Sequence, residues 1–190
     1  MDGGPPPAFP LPASTAIVSP MSRKRISLIS TGGTIEKTYD ELSGVLANRV
    51  SVLDVMLASL QLQGVSIDRV ALMNKDSLEM SESDHDLIAE TAEREGRSHD
   101  GVVIVHGTDR LARTGDRICQ KLGRPRVPIV LTGAMRPYLM RNTDALQNLT
   151  EALLAAQILS PGVYVSMHSQ VLQFPGVVKD PQAGSFVKPA

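Results

Sequence analysis

The sequence contains no tryptophan and one cysteine, and aromatic residues fill only 3% of its 190 positions. With so few rings, the core must come mostly from Val, Ile, Leu, Ala and Met, which suits a sheet covered by helices. The lone thiol, Cys119, cannot close an internal disulfide; inside a predicted helix it reads as a small apolar residue. A reducing compartment, and hence a cytoplasmic location, fits that reading. No stretch approaches the roughly 18–20 consecutive apolar residues that a spanning helix needs, so no membrane segment is expected. Nor is either charge in excess: 19 basic and 20 acidic residues leave a formal net charge of −1. That balance argues against a general nucleic-acid binder, which carries a basic excess or stripe. The first twenty residues lack the basic n-region of a secretion signal, and prolines break every apolar stretch. They are expected to form a flexible Pro-rich leader over residues 1–20, followed by a single folded domain over 21–190, with Met21 as a second candidate start of translation.

What is present is an alternation of two hydrophobic periods. Hydrophobic residues make up 42% and charged residues 21%, enough apolar material for one globular core. Strands are predicted at Arg25–Ser30, Val65–Met73, Gly101–Val105, Val127–Leu131 and Val163–Met167. Between them, Ser51–Leu62 places Leu53, Met56, Leu57 and Leu60 on one helical face. Ser81, with Asp84 three positions on, has the form of a capping box for a helix running to about Glu95. Further helices are predicted from about Arg110 to Leu122 and along Ala145, Leu149, Ala152, Leu153 and Ala156. Unbroken apolar strands separated by amphipathic helices predict an α/β fold: an open, mostly parallel sheet with helices on both faces, Rossmann-like or flavodoxin-like.

In such sheets ligands sit beyond the carboxyl ends of the strands. The polar clusters fall at those ends: Thr31–Thr34, Asp76–Ser77, His106–Asp109 and Thr132–Gly133, with Lys179 after the fifth strand. Each has a plainer reading. Thr31-Gly32-Gly33-Thr34 also suits a tight strand-to-loop turn, and Thr108-Asp109 also suits a helix cap. Lys179 alone also suits a solvated surface. His106 is expected to order its turn rather than to react. A phosphate loop is not indicated, since neither Gly-x-x-x-x-Gly-Lys-Ser/Thr nor Gly-x-Gly-x-x-Gly occurs. His85, His99 and His168 lack metal-ligand spacing.

Taken together, TGGTI at 31–35, SLEM at 77–80, HGTD at 106–109 and TGAMRP at 132–137 closely resemble the L-asparaginase family over roughly Ile26 to Phe186. The resemblance implies hydrolysis of L-asparagine to L-aspartate and ammonia without cofactor or metal. It implies Thr34 as nucleophile, Tyr39 as its assistant, and Thr108, Asp109 and Lys179 as a second catalytic group. It further implies Ser77, Asp109, Thr108 and Gly33 as substrate-binding positions. Family members commonly have Thr where Arg110 stands, Ser-Asp-Gly where Thr143-Asp144-Ala145 stands, and Gln where Leu78 stands. The last difference bears on how the substrate carboxylate is held.

The chain ends at Ala190, soon after Lys179, so the resemblance is to short, single-domain members equivalent to the N-terminal domain of longer ones. A homo-oligomer, dimer or tetramer, is therefore expected to help close the site. Alternatives are the same chemistry on glutamine or on a partner-delivered amide, a non-catalytic amino-acid binder, and a nucleotide-binding α/β module.

Overall fold

A computed structural model describes residues 23–47 and 51–189; the Pro-rich leader lies outside the described residues. Five strands form the parallel part of the sheet: β1 (Lys24–Gly32), β4 (Val65–Lys75), β5 (Gly101–Val105), β6 (Pro128–Thr132) and β7 (Gly162–Met167). The hairpin β2 (Thr38–Asp40) and β3 (Val45–Ala47) intervenes after β1. A sixth strand, β8 (Gln170–Gln173), folds back antiparallel on β7, giving the order β4-β1-β5-β6-β7-β8. A last hairpin pairs β9 (Val178–Asp180) with β10 (Ser185–Val187).

The helices are α1 (Leu53–Ala58), α2 (Glu82–Glu95), α3 (Leu111–Leu122) and α4 (Ala145–Ile158). Side chains along β5 alternate between two cores, as a period of two requires. Val103 and Val105 join α1 and α4 through Leu53, Met56, Leu149, Ala152 and Leu153. Val102 and Ile104 join α2 and α3 through Ile88, Ala92, Leu111 and Ile118 on the opposite face. The predicted α/β sheet with helices on both faces is thus observed.

Counted by their order in the sequence, the parallel strands stand 2-1-3-4-5, the flavodoxin-like arrangement. The order reverses between β1 and β5. In sheets of this order ligands bind at that switch point, here the carboxyl ends of β1 and β5, whose following turns carry Thr34 and Thr108.

Two differences from the sequence-based reading are physical. The helix expected over Ser51–Leu62 is confined to Leu53–Ala58: the Ser59 hydroxyl donates to the Met56 carbonyl at 2.6 Å and closes the last turn. Leu60 and Leu62 still pack on the same core from irregular chain. The short strands β2, β3, β8, β9 and β10 were not expected, because three or four residues carry too little period to be read. By contrast, the Ser81–Asp84 capping box forms with both reciprocal hydrogen bonds in place.

Candidate active site

The turn after β1 is set by a register shift. Ser30 pairs with Ala71, but Gly32 pairs with Lys75, which carries the Gly32-Gly33 turn towards Asp76 and Ser77. The Gly33 N–H donates to the Lys75 carbonyl at 3.0 Å. Gly33 has φ of 85°, and a Cβ there would stand 2.4 Å from the Gly107 nitrogen. Only glycine meets both demands, so this residue brings the β1 and β5 turns into backbone contact. Thr34 follows, half-buried, as the first residue of a single 3-10 turn over Thr34–Glu36.

On the other side of that contact lies Ser77. A Cβ on Gly107 would stand 2.6 Å from Ser77 Oγ. Ser77 is 1% exposed, and its hydroxyl is buried without a hydrogen-bond partner among the described residues. An unpaired buried hydroxyl costs free energy, so its presence at this rim points to a ligand that satisfies it. Asp76, just before, accepts from the Leu78 N–H at 3.0 Å and from the Lys37 ammonium at 2.6 Å. The Lys37 contact, helped by the Leu78 N–H, holds the Asp76 carboxyl below the usual carboxylate range.

The turn after β5 is fixed from beneath. His106 is fully buried; its Nδ1 lies 2.8 Å from the Gly107 carbonyl, and its Nε2 lies 2.8 Å from Thr114 Oγ1. His85 Nδ1 lies 2.7 Å from the same hydroxyl. Because a carbonyl only accepts, His106 Nδ1 must carry the proton, and a neutral ring then accepts from Thr114 at Nε2. Thr114 in turn accepts from His85. Burial, with the neighbouring His85, pushes the His106 pKa down to about 4, so the ring is neutral near pH 7. This agrees with the expectation that His106 orders the turn.

Thr108 and Asp109 emerge from this turn and meet Lys179, whose Nζ donates to Thr108 Oγ1 at 2.9 Å and to Asp109 Oδ1 at 2.7 Å. The ammonium is largely sheltered, with its side chain 22% exposed. Neither residue caps α3, whose N-cap is Arg110 without a side-chain cap bond. Lys179 sits at the centre of the β9–β10 hairpin, paired with Phe186, which is buried in the α2–α3 core. That anchor replaces the solvated-lysine reading.

The turn after β6 closes the rim. Asp144 accepts from the N–H groups of Met135 and Arg136, and Asn148 donates to the Gly133 carbonyl and to Asp144. Burial works to raise the Asp144 carboxyl, but bonds from Met135, His168 and Arg136 outweigh it and hold it low. Lys37, Thr114, Asp144 and Asn148 escaped the sequence reading as site residues. The i, i+4 spacing of Asp144 and Asn148 at a helix start was the one available signal for that pair.

Gly33, Ser77, Thr108, Asp109 and Lys179 therefore form one contiguous rim, with Thr34 adjoining it. Tyr39 stands apart from these hydrogen bonds. It is 61% exposed and lines an apolar groove of about 600 Å³ with Val45, Leu46, Pro137, Leu139 and Met140. The groove abuts the Thr34 turn, since the Tyr138 N–H donates to the Ile35 carbonyl at 3.3 Å. Among the described residues no His, Cys, Asp and Glu side chains gather as a metal cluster, and no helix is long and apolar enough to cross a membrane.

Residues 25–180 match the family model described as "Asparaginase, N-terminal". The chain is 33% identical over 150 residues to an L-asparaginase of Thermococcus kodakarensis, covering 78% of this chain and 45% of that protein. It is 34% identical over 159 residues to a glutamyl-tRNA(Gln) amidotransferase subunit of Haloquadratum walsbyi, covering 83% and 36%. It thus spans less than half the length of these curated relatives. Among solved structures, the thermostable L-asparaginase of T. kodakarensis superposes with a TM-score of 0.69 at 28% identity, over 87% of this chain and 57% of that one. L-asparaginase I of Vibrio cholerae superposes with a TM-score of 0.73 at 25% identity, over 88% and 52%. The switch-point strands and their turns lie within the matched residues, and the chain belongs to the asparaginase family.

Proposed function

We propose that this protein is an amidohydrolase that converts L-asparagine to L-aspartate and ammonia. The observation that carries the reading is the Lys179 ammonium, held 2.9 Å from Thr108 Oγ1 and 2.7 Å from Asp109 Oδ1 at the switch-point rim. In the first step the Thr34 hydroxyl oxygen bonds to the amide carbon and the C–N bond breaks. The hydroxyl proton passes to the departing nitrogen, which leaves as ammonia. In the second step water adds to the acyl-Thr34 ester, the ester C–O bond breaks, and Thr34 regains its proton. Dividing the reaction in this way replaces one high barrier with two lower ones.

Lys179 stabilises negative charge that develops on Thr108 as protons move, and Tyr39 assists Thr34 once its hairpin closes over the crevice. Asp109 takes the substrate's α-ammonium, Ser77 and Thr108 hold its polar groups, and Gly33 leaves room for close approach. The domain at 21–190 acts without cofactor or metal, in the cytoplasm. It assembles as a homo-oligomer that covers the exposed apolar residues beside Tyr39.

The relationship to the amidotransferase of H. walsbyi supports a second reading, in which the amide is glutamine and the ammonia serves a partner. One methylene distinguishes the two substrates, a difference of about 1–3 kcal/mol in a pocket. Steady-state ammonia release with L-asparagine and L-glutamine, side by side, tests both. Thr34→Ala should abolish release, and Lys179→Met should lower it by roughly 10²–10⁴. A folded wild-type protein that binds L-aspartate yet releases no ammonia from either amide would instead be a non-catalytic binder.

A further inference from the structure

We propose that Lys37 is a specificity residue of this site, its ammonium taking the α-carboxylate of the amino-acid substrate beside the Ser77 hydroxyl. The inference rests on the amino-acid-amide reading above and adds to it the residue that recognises one end of the substrate.

Three observations carry it. Lys37 lies three residues beyond Thr34, at the foot of the β2–β3 hairpin, and its ammonium is fixed by Asp76 at 2.6 Å. Its side chain is 25% exposed, so the charge is sheltered but reachable. Ser77, the next residue after Asp76, presents a buried hydroxyl with no partner among the described residues. Leu78 follows with 59% exposure and an apolar side chain that cannot hold a carboxylate. Lys37 is a cation that hydrogen-bonds directly to this stretch.

The arrangement is complementary to a zwitterion. One ion pair, Lys37–Asp76, stands on the Ser77 side of the Ser77–Gly107 contact. The other, Lys179–Asp109, stands on the Thr108 side. A free α-amino acid lying across that contact presents its carboxylate to Lys37 and Ser77 and its ammonium to Asp109. Asp76 gives Lys37 one anionic oxygen but uses one of only three ammonium N–H donors, so a second acceptor can join. Opposite charges met at both ends favour a free amino acid over an internal residue of a peptide, whose ends are amides.

The test compares two amides that differ only in this carboxylate: L-asparagine and 3-aminopropanamide. Lys37→Gln should raise KM for L-asparagine about tenfold or more, the size of one charge-assisted hydrogen bond, with little change in kcat. The same substitution should leave kcat/KM for 3-aminopropanamide within about twofold of wild type. Lys37→Arg, which keeps the cation, should retain the preference for L-asparagine. A Lys37→Gln protein that loses equally on both substrates, or on neither, overturns the proposal, since a mere clamp between two turns would not distinguish them. If the wild type turns over no amide, the hydrolase reading fails by itself. Calorimetry with L-aspartate and 3-aminopropanoate then decides the role of Lys37: weaker binding of L-aspartate alone by Lys37→Gln supports it, and equal or absent weakening overturns it.

Discussion

The floor and the lip of the candidate site are built on opposite plans. On the floor, the Gly33 and Gly107 backbones touch, Ser77 packs against them, and a buried His85–Thr114–His106 chain fixes the turn from below. At the lip, the β2–β3 hairpin and the segment opposite it leave Leu42, Val45, Leu46 and Leu139 in solvent. Groups that act on a substrate need sub-ångström placement, which tight packing supplies. A segment that must admit and release a substrate cannot be packed that way, because local opening requires few buried contacts. The contrast sets Thr108, Asp109 and Lys179 on a packed platform and Tyr39 on an exposed hairpin.

Alanine at two glycines with positive φ breaks that contrast most sharply. At Gly33 the new methyl would meet backbone at 2.4 Å, which no rotamer relieves. We expect Gly33→Ala to lose about 3 kcal/mol or more in chemical denaturation, and all hydrolytic activity. At Gly44, with φ of 69° in the hairpin, an added Cβ meets no atom of the described residues within 4 Å. Gly44→Ala should cost only the backbone strain, about 1 kcal/mol. Similar losses at the two sites would mean that the hairpin is packed as firmly as the floor. Next in size is Lys179→Met, for which ammonia release should fall by roughly 10²–10⁴. Its melting temperature should barely move, because Asp109, its ion-pair partner, is 44% exposed. A large drop in stability would make Lys179 a strut.

Much of the platform is legible in the sequence, because β5, β6 and β7 are buried runs rich in Val, Ile and Leu. Gly101–Val105 was read to the residue, and β6 and β7 to within one. The turns between them were legible as glycines and hydroxyls at strand ends, and the family motifs joined them. Chain order puts Lys179 after the fifth strand, but its role rests on resemblance: Val178–Asp180 is too short to show a period, and its anchor Phe186 lies across a turn. The supports were not legible for a different reason. His85 and Thr114 act by contacts across the fold, and nothing in their local sequence separates them from ordinary helix residues; Asp144 and Asn148 leave only their i, i+4 spacing at a helix start. Lys37 and Asp76 are a pair only because a shift in the β1–β4 register brings their turns together.

The buried histidine gives a third prediction with a definite sign. The folded-state pKa of His106 is about 4, below the ordinary value of 6.5. Between those limits the unfolded chain binds the extra proton, so stability is complete above about pH 6.5 and declines as pH falls towards 4. The total is on the order of 3 kcal/mol, and the same burial that depresses His85 adds to it in the same direction. His106→Asn keeps a donor for the Gly107 carbonyl and removes the titration. Denaturation midpoints at pH 7 and pH 4.5 should lie closer together in the variant than in the wild type. An unchanged gap would place the acid sensitivity elsewhere.

The smallest effect should come from the lip. Leu42 is 97% exposed, so its apolar surface contributes almost nothing to the fold of one chain. Leu42→Ser should change the unfolding free energy of dilute protein by no more than about 0.5 kcal/mol. The proposed homo-oligomer adds a dependence on concentration. If a second copy covers the hairpin, the variant should fall behind the wild type as protein concentration rises, because association stabilises only the chain that still associates. Melting curves across a hundredfold range of concentration separate the two cases. Parallel curves leave the hairpin a lid on a single chain, and diverging curves make it part of an interface that closes over the crevice.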